Sequence, residues 1–507
     1  MKKIVASLFA VFALIGLGGV VAFAAADHSQ FRELQRNFNS PEDVTRTCLE
    51  CHTNAGHELV KTPHWTWSKD TVKLPGKEGD VTAVGAKNVV SNIFPAVASN
   101  ERYAGAFHAG YGWRDGNFNF ADSSKADCLV CHEHSGSYVK AVNGAGYPSA
   151  NETNLSAAAR SVGRPDNHNC GQCHFSAPGF GSGVKNVDLD KSIVSADGDY
   201  YDIHMQPNGR KLVCVDCHVT KNHNINGRLY TTSVDDTNRI SCEQCHTDKP
   251  HTQVMFIDDS AAKDADGHFN ILDYKAMLKG REAPENSFRN RLLDSHNSRV
   301  SCQACHIDHH NAQAKVVSDM SKTDANTAAQ VIPSYRLLGG VVGHVLYGDK
   351  IDPAAAPIQL NTVEDAQANG KIWPVNIVKS KQLYDTENNV FVAAQMYGDR
   401  GYFATKNWDT AAAAGMRAAG IAFSGKMDWV ETELMLPVNH GVKTASKALK
   451  CEDCHSRDGR LADVTTAGWV PGRDTWLIVD ILGALMILGA FAGVAFHSFM
   501  RYKASKK

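Results

Sequence analysis

No cysteine in this chain lies outside a C-x-x-C-H pentapeptide, although the sequence contains 14 cysteines among 507 residues. No thiol is therefore left over for a disulfide or for a catalytic nucleophile. The chain also lacks an excess of basic charge, since its formal net charge is -2. A nucleic-acid-binding protein needs a basic face, so the composition argues against nucleic acid as a partner.

The pentapeptides have the spacing that attaches haem c. Two cysteines three residues apart lie on one face of a helical turn, so both sulfurs can reach the vinyl groups of one porphyrin. The histidine that follows can then bind the iron as the proximal ligand. A zinc or disulfide site would not place a histidine after every cysteine pair. The sequence therefore predicts seven covalently bound haem c groups, attached at Cys48 and Cys51, Cys128 and Cys131, Cys170 and Cys173, Cys214 and Cys217, Cys242 and Cys245, Cys302 and Cys305, and Cys451 and Cys454, with the proximal ligands His52, His132, His174, His218, His246, His306 and His455.

Each haem iron needs a sixth ligand unless that position stays open for a substrate. The chain has 23 histidines, enough for bis-histidine ligation of every haem. Such haems carry electrons and leave no site for a substrate. Three histidines, His57, His134 and His168, compete with His28 for the seventh distal position. The distal ligands that we favour are His28, His64, His204, His223, His251, His296 and His440.

Both ends of the chain are apolar. Residues 1–24 have the lysines, the apolar run and the A-x-A cleavage site of a secretory signal peptide, the alternative being an uncleaved anchor. Residues 476–499 form an apolar segment with a single acidic residue, Asp480, which is long enough to span a bilayer. The basic tail, residues 500–507, is expected in the cytoplasm by the positive-inside rule. The haem domain, residues 25–470, would then lie in the periplasm, anchored to the inner membrane.

Regular secondary structure is expected to be sparse, because porphyrins would supply much of the apolar core. Six motifs lie between residues 48 and 306, and residues 307–450 contain none. Alanine-rich and proline-bounded stretches in that haem-free segment predict short helices, strands or loops that cover the haems and return His440 to them. The predicted fold class is a multihaem cytochrome c, mainly α-helical and irregular, with one C-terminal transmembrane helix.

Stretches inside and outside the pentapeptides match one family, in order from about residue 40 to residue 462. They include VTRTCLECH, KTPHWTW, HAGYGWRD, DCLVCHEHSGSY, CGQCHFSAPGFGSGVKNVDLDKSIV, CVDCHVTKNHNINGR, KIWPVNI, MDWVETELMLPVNHGV and LKCEDCHSRDGRL. On these stretches the chain resembles the octahaem tetrathionate reductase family of periplasmic cytochromes c, which are relatives of hydroxylamine oxidoreductase and multihaem nitrite reductases.

The family pattern has eight motifs, and the second is missing here. Ala104 and Phe107 stand where that motif would have cysteines before His108. The resemblance implies that this second haem is the family's active site, with a lysine as distal ligand, whereas the run after His108 contains Arg114 and no lysine. We favour a structural His108 beside a site filled by Phe107 and nearby aromatic residues. A non-covalent haem on His108 and a small-anion site with Arg114 are the alternatives.

Seven-haem cytochromes with a C-terminal anchor resemble subunits of menaquinol oxidoreductase complexes. We therefore expect an electron-transfer subunit, with no catalytic residue assigned. Electrons would come from an integral quinol-oxidising subunit, for which a b-type cytochrome is one candidate. They would enter through the haem on Cys451 and pass to other periplasmic cytochromes or acceptors in anaerobic respiration.

Two other functions stay open. One is a periplasmic reductase of sulfur or nitrogen oxyanions, such as tetrathionate, nitrite or hydroxylamine, and the other is a structural role in a larger complex.

In the apolar C-terminal segment, Gly489 and Gly493 allow close packing against a partner helix. His497 could bind a b-type haem only together with a histidine of the partner.

Overall fold

The computed structural model describes residues 26–68, 72–73, 81–175, 189, 191–195, 201–227, 240–256, 279–282, 287–309, 317–319, 332–364 and 370–506. The predicted signal peptide, residues 1–24, lies outside them. Apart from the last one, the described α-helices span only 4 to 11 residues. The α-helices are Pro41–Cys51, Ala55–Leu59, Pro63–Thr66, Glu101–Ala104, Leu129–His132, Leu155–Arg160, Asn167–His174, Cys214–Cys217, Phe288–His296, Cys302–His306, Tyr402–Thr405, Trp408–Ala418, Cys451–Cys454 and Leu477–Ser505.

Local sequence signals place the helices that carry attachment cysteines. Ser40 accepts a hydrogen bond from the backbone N–H of Asp43, and Pro41 follows at the first helical position, so the helix Pro41–Cys51 begins there. Asp166 caps the helix Asn167–His174 in the same way. Short 3₁₀ turns complete the helical structure at His28–Gln30, Arg32–Leu34, Val97–Ser99, Gly105–Phe107, Ser123–Lys125, Lys191–Val194, Cys242–Gln244, Pro353–Ala355, Ala445–Lys447 and Thr465–Ala467.

A seven-stranded sheet forms in the haem-free segment. The described strands are β1 Val72–Lys73, β2 Val81–Thr82, β3 Thr220–Lys221, β4 Asn224–Ile225, β5 Gln253–Phe256, β6 Lys279–Glu282, β7 Val317–Asp319, β8 Ser334–His344, β9 Ile358–Gln359, β10 Asn361–Glu364, β11 Lys371–Asp385, β12 Val390–Phe391 and β13 Met427–Pro437. The strand order of the seven-stranded sheet is β10-β8-β11-β13-β9, and β7 and β12 also pair with β11. The central strand β11 pairs antiparallel with β13 from Val375 opposite Pro437 to Asp385 opposite Met427.

This sheet is more regular than the sequence predicted. Strand β11 runs for 15 residues, and its five consecutive residues 372–376 are all buried. A strand covered on both faces loses the alternation of apolar and polar residues that identifies a strand in a sequence. The haem-bearing part of the chain does have the short helices and irregular connections that the sequence predicts.

The sheet is joined directly to two attachment motifs. The backbone N–H of Ser301, next to Cys302, donates to the carbonyl of Ile372 in β11 at 3.0 Å. The chain that leaves β13 then passes the same motif, where the N–H of Lys443 donates to the carbonyl of His306 at 2.8 Å. The sheet therefore holds the segment that presents His440 and leads to the motif at Cys451.

Candidate haem centres

Each C-x-x-C-H motif forms one helical turn. In five of them the backbone N–H of the histidine donates to the carbonyl of the first cysteine at 2.7–3.2 Å. The other two lie within the helices Asn167–His174 and Cys302–His306. These turns place the cysteines on one side and the histidine beyond them, as covalent attachment of a porphyrin requires. We number the motifs as the first to the seventh centre in chain order, beginning at Cys48, Cys128, Cys170, Cys214, Cys242, Cys302 and Cys451.

A second histidine faces the motif histidine at each of six centres. A metal–nitrogen bond of about 2 Å on each side, plus about 1 Å from each nitrogen to its ring centre, separates two imidazoles on one iron by about 6 Å. The observed ring centroids are 6.1–6.5 Å apart, so their spacing fits one iron between each pair. The pairs are His28 with His52, His223 with His132, His64 with His174, His440 with His218, His204 with His246, and His296 with His455.

His251 lies beside the remaining motif histidine, His306. Burial lowers the pKa of His306, and the charge of the neighbouring His251 lowers it further, although the carbonyl of Lys443 opposes them. Burial also lowers the pKa of the motif histidines at the second, fourth and fifth centres. A neutral imidazole is the form that binds a metal, so burial prepares these residues as ligands.

The structure separates His28 from two of its competitors. Both ring nitrogens of His134 are engaged, by the carbonyl of Arg164 at 3.0 Å and by Asp166 at 3.4 Å. His168 lies 3.5 Å from the carboxylate of Glu133. The arrangement therefore favours His28 for the first centre.

The centres follow one another in chain order through contacts between their cysteines. The first cysteines touch within three pairs of motifs, Cys48 with Cys128, Cys170 with Cys214, and Cys242 with Cys302. Between these pairs the second cysteines lie within electrostatic reach, Cys131 of Cys173, Cys217 of Cys245, and Cys305 of Cys454. Cys51 and Cys451 take no part in these six contacts, and they are the only exposed cysteines among all 14. These contacts link the attachment sites in chain order, with an exposed site at each end.

A bare metal site does not account for these residues. Within the described ranges, no three side chains of His, Cys, Asp or Glu come together in a group that could hold a metal ion. The motif histidines instead have a single histidine partner and two cysteines displaced to one side. That donor set suits a haem with two axial imidazoles.

Comparisons with known proteins identify the class. A family model for bacterial cytochrome c matches residues 294–458, and one for cytochrome c554 and c-prime matches residues 169–247. The crystal structure of octahaem cytochrome c from Shewanella oneidensis is 31% identical, with a TM-score of 0.70, and the alignment covers 88% of this chain and 97% of that one. The chain belongs to the multihaem c-type cytochromes. No curated protein matches it.

Membership of this family confirms the predicted class and covalently bound haem c as the cofactor, and it indicates electron transfer. This cytochrome has seven C-x-x-C-H motifs, whereas the Shewanella protein is an octahaem cytochrome. The difference directs attention to His108, where the sequence lacks both cysteines.

His108 is enclosed by aromatic rings. Its imidazole is buried, and the ring centroids of Trp65, Trp113, Phe118, Phe120 and Trp67 lie 4.9–6.3 Å away. Its Nε2–H donates to the carbonyl of Trp65 at 2.6 Å. An axial ligand would turn this nitrogen to the iron, so the packing favours the structural interpretation over a non-covalent haem.

The anion alternative finds less support. Arg114 lines a cavity of about 320 Å³ together with Tyr111, Lys125 and Tyr147, but His108 does not line it. The structure thus does not bring His108 and Arg114 together at one site.

A buried lysine that the sequence analysis did not single out lies beneath His108. The ammonium of Lys140 donates to the carbonyls of His108 and Gly110. It also forms an ion pair of 2.9 Å with Asp127, and both side chains are at most 5% exposed. Lys140 follows the second motif in sequence, 32 residues after His108, so local sequence gave no signal for this contact.

The last centre is tied to the chain that leads into the C-terminal helix. The Nδ1–H of His455 donates to the carbonyl of Pro471 at 2.9 Å. Arg473 holds the same loop by donating to the carbonyls of Leu461 and Val464. The helix Leu477–Ser505 is long and apolar enough to cross a membrane, and none of its apolar window is buried.

The sequence analysis also did not identify the carboxylates that lie next to three of the distal histidine candidates. Asp202, two residues before His204, could have been noticed as a local D-x-H pattern. Glu58 meets His223 across 165 residues, and Asp294 meets a histidine 43 residues away. Contacts over such separations leave no local pattern in a sequence.

Proposed function

We propose that this cytochrome is a membrane-anchored periplasmic electron relay with seven bis-histidine haems. It takes electrons from an integral quinol-oxidising subunit and delivers them to periplasmic redox partners in anaerobic respiration. A bis-histidine haem supplies reversible one-electron storage on its iron without an open position for substrate. The residues of this chain hold the haems, exclude ligands from the irons and set the order of the centres.

The unbroken succession of attachment sites supports this proposal most directly. Every motif has its cysteines near those of the next motif, from Cys48 to Cys451. Exposed cysteines occur only at its two ends. An arrangement of this kind suits entry at one terminal centre and exit at the other.

We assign entry to the seventh centre and exit to the first. The carbonyl of Pro471 binds the proximal His455, and the candidate membrane helix begins at Leu477. The chain between them also exposes Trp469 and Trp476, and tryptophan is favoured at membrane–water interfaces. This loop would hold the seventh centre near the membrane surface, within reach of a quinol-oxidising partner.

The geometry gives less support to a reductase of sulfur or nitrogen oxyanions. Such an enzyme needs an iron with an open or exchangeable position. A histidine lies next to each of the seven motif histidines, and His108 is packed among aromatic rings. A reductase would require one of these ligands to leave its iron.

Quinol reduction of the full-length protein in its native membrane tests the relay. Addition of a menaquinol analogue should reduce the haems, which is followed by the change in their absorption spectrum. A pyridine haemochrome assay should give seven haems per chain. His296→Ala removes the distal candidate of the seventh centre and should slow this reduction. His57→Ala is the matched control and should not. Failure of the quinol analogue to reduce the haems, or equal slowing by both variants, would contradict the proposed entry point.

Electron paramagnetic resonance separates the relay from the reductase. All ferric haems should be low-spin, and their signals should stay unchanged when tetrathionate, nitrite or hydroxylamine is added. A high-spin signal that responds to one of these compounds would favour the reductase.

A further inference from the structure

The distal histidines of the seven centres differ in what binds their second ring nitrogen. At the second, fifth and sixth centres that nitrogen, Nδ1, meets a carboxylate at 2.9 Å. The three pairs are His223 with Glu58, His204 with Asp202, and His251 with Asp294. The chain thus places an acidic acceptor on one axial ligand of three particular haems.

The seventh centre provides a contrast within the same molecule. Its distal His296 donates from Nδ1 to the carbonyl of Leu292 at 2.8 Å, and its proximal His455 donates to the carbonyl of Pro471 at 2.9 Å. The sixth centre has a carbonyl acceptor on its proximal side too, since His306 donates to Lys443 at 3.3 Å. The two neighbouring centres therefore differ in the acceptor of the distal ligand.

A carboxylate and a carbonyl affect an axial imidazole unequally. The charged acceptor draws the Nδ1 proton towards itself and raises the basicity of the opposite nitrogen, which binds the iron. A more basic ligand stabilises ferric iron relative to ferrous iron. Hydrogen bonding beyond the ligands is one of the means by which a protein sets the potential of a haem. A carboxylate should therefore make its haem harder to reduce.

We infer that Glu58, Asp202 and Asp294 are positioning residues that lower the reduction potentials of the second, fifth and sixth haems below that of the seventh. The inference rests on the proposed bis-histidine relay. It gives the relay an uneven energy profile, in which an electron from the seventh centre meets two less easily reduced centres in succession. Electrons would then reside mainly at the other centres.

Burial orders the expected effects. The carboxylate side chains of Asp202 and Asp294 are 5% and 9% exposed, whereas Glu58 is 31% exposed. Solvent screens an exposed charge more strongly than a buried one. Asp202 also accepts the backbone N–H groups of Gly441 and Val442, beside the distal ligand of the fourth centre. The other donors to Asp294, the backbone N–H of His251 and the hydroxyl of Thr252, belong to the sixth centre itself, so Asp294 is the cleaner test of a strong effect.

The main experiment is a redox titration of full-length Asp294→Asn, followed by optical and electron paramagnetic resonance spectra. Asparagine keeps an oxygen that can accept the Nδ1 proton but removes the charge. We expect the reduction equilibrium of one haem to shift about tenfold towards the ferrous form, which is about 59 mV for a one-electron couple. Its low-spin signal should change while the other signals stay in place.

Glu243→Gln is the matched control. Glu243 lies in the motif of the fifth centre, within electrostatic reach of Cys302 in the sixth, and it pairs with Lys371 at 3.9 Å. Glu243→Gln removes one negative charge near the sixth centre without touching its distal histidine, so any smaller shift at the sixth haem measures the effect of charge alone. Glu58→Gln provides a second variant at the second centre, where the shift should have the same sign and a smaller size.

The outcomes separate the inference from the function on which it rests. Seven low-spin haems with unchanged potentials in both Asp294→Asn and Glu58→Gln would overturn the tuning and leave the relay intact. Equal shifts in Asp294→Asn and Glu243→Gln would also overturn it, because charge alone would then suffice. If Asp294→Asn loses its haem, the redox titration of Glu58→Gln decides whether the carboxylate lowers the reduction potential. A high-spin haem in the unaltered protein would contradict the relay itself.

Discussion

Replacing Lys140 by methionine tests whether the packed region around His108 contributes to the stability of the fold. The ammonium of Lys140 lies 2.9 Å from the carboxylate of Asp127, with both side chains almost fully buried. At an effective dielectric constant of about 20, this distance corresponds to an attraction of about 6 kcal/mol. Desolvation offsets much of that attraction, and the loss of one partner from such a pair costs about 3–5 kcal/mol.

The contacts of Asp127 set the expected value within this range. Its carboxylate also accepts the hydroxyls of Tyr111 and Tyr138, at 2.9 and 2.8 Å, and the N–H of Val130 at 3.1 Å. Three donors remain after Lys140→Met, so we expect the free energy of unfolding to fall by about 3 kcal/mol, near the lower limit. Adding Asp127→Asn should cost less than the sum of the single changes, by about 1–3 kcal/mol.

The assay is urea unfolding of the full-length protein, monitored by near-ultraviolet circular dichroism at unchanged haem content. Lys426→Met is the control, because Lys426 pairs with Glu387 at 2.7 Å but the two side chains are 70% and 52% exposed. Such a surface pair contributes at most about 1 kcal/mol. A Lys140→Met variant no less stable than Lys426→Met would refute the reasoning.

Three further changes test other parts of the molecule. Although burial opposes it, hydrogen bonds from Ser424 and Asn388 hold the pKa of Asp385 below its usual range. The stability lost in Asp385→Asn should therefore be constant above about pH 4 and shrink as the pH falls below it, whereas a loss independent of pH in acid unfolding would contradict this. His440→Ala should convert the haem bound by His218 from low-spin to high-spin, and a spectrum without a high-spin signal would exclude His440 as its ligand. Gly472 has a φ of +83°, and an added Cβ would lie 2.3 Å from the carbonyl of the last motif's histidine. Gly472→Ala should thus shift the potential of the seventh haem alone. A uniform or absent shift in a redox titration would contradict the contact between this loop and the seventh centre.

The sequence predicted the haem centres better than their surroundings. The C-x-x-C-H turns depend on contacts over four residues, which a local pattern records. The pairing of His64 with His174, or of His440 with His218, depends on the folded chain, so only the list of distal candidates could be predicted. The sequence could not show that Glu58 would reach His223.

The structure of the haem-free segment was harder to predict from the sequence for a different reason. Residues 372–376 of β11 are all buried, and the first four of them are apolar, so this part of the strand lacks the alternation of apolar and polar residues by which a strand is recognised in a sequence. The absence of cysteines at Ala104 and Phe107 led to the prediction of a vacated site, and the aromatic packing around His108 is consistent with it. Sequence did not indicate that Lys140 and Asp127 would form an ion pair below it.

The single-file order of the attachment sites makes the molecule resemble components wired in series. If electrons follow this order, the slowest transfer limits the overall rate, as in a series circuit, and the loss of an interior centre interrupts the transfer. Damage to a ligand such as His440, at the fourth of seven centres, should therefore be far more harmful than the same damage at the exposed end near Cys51. Under the proposed direction of transfer, a loss at the first centre would only move the exit to the second.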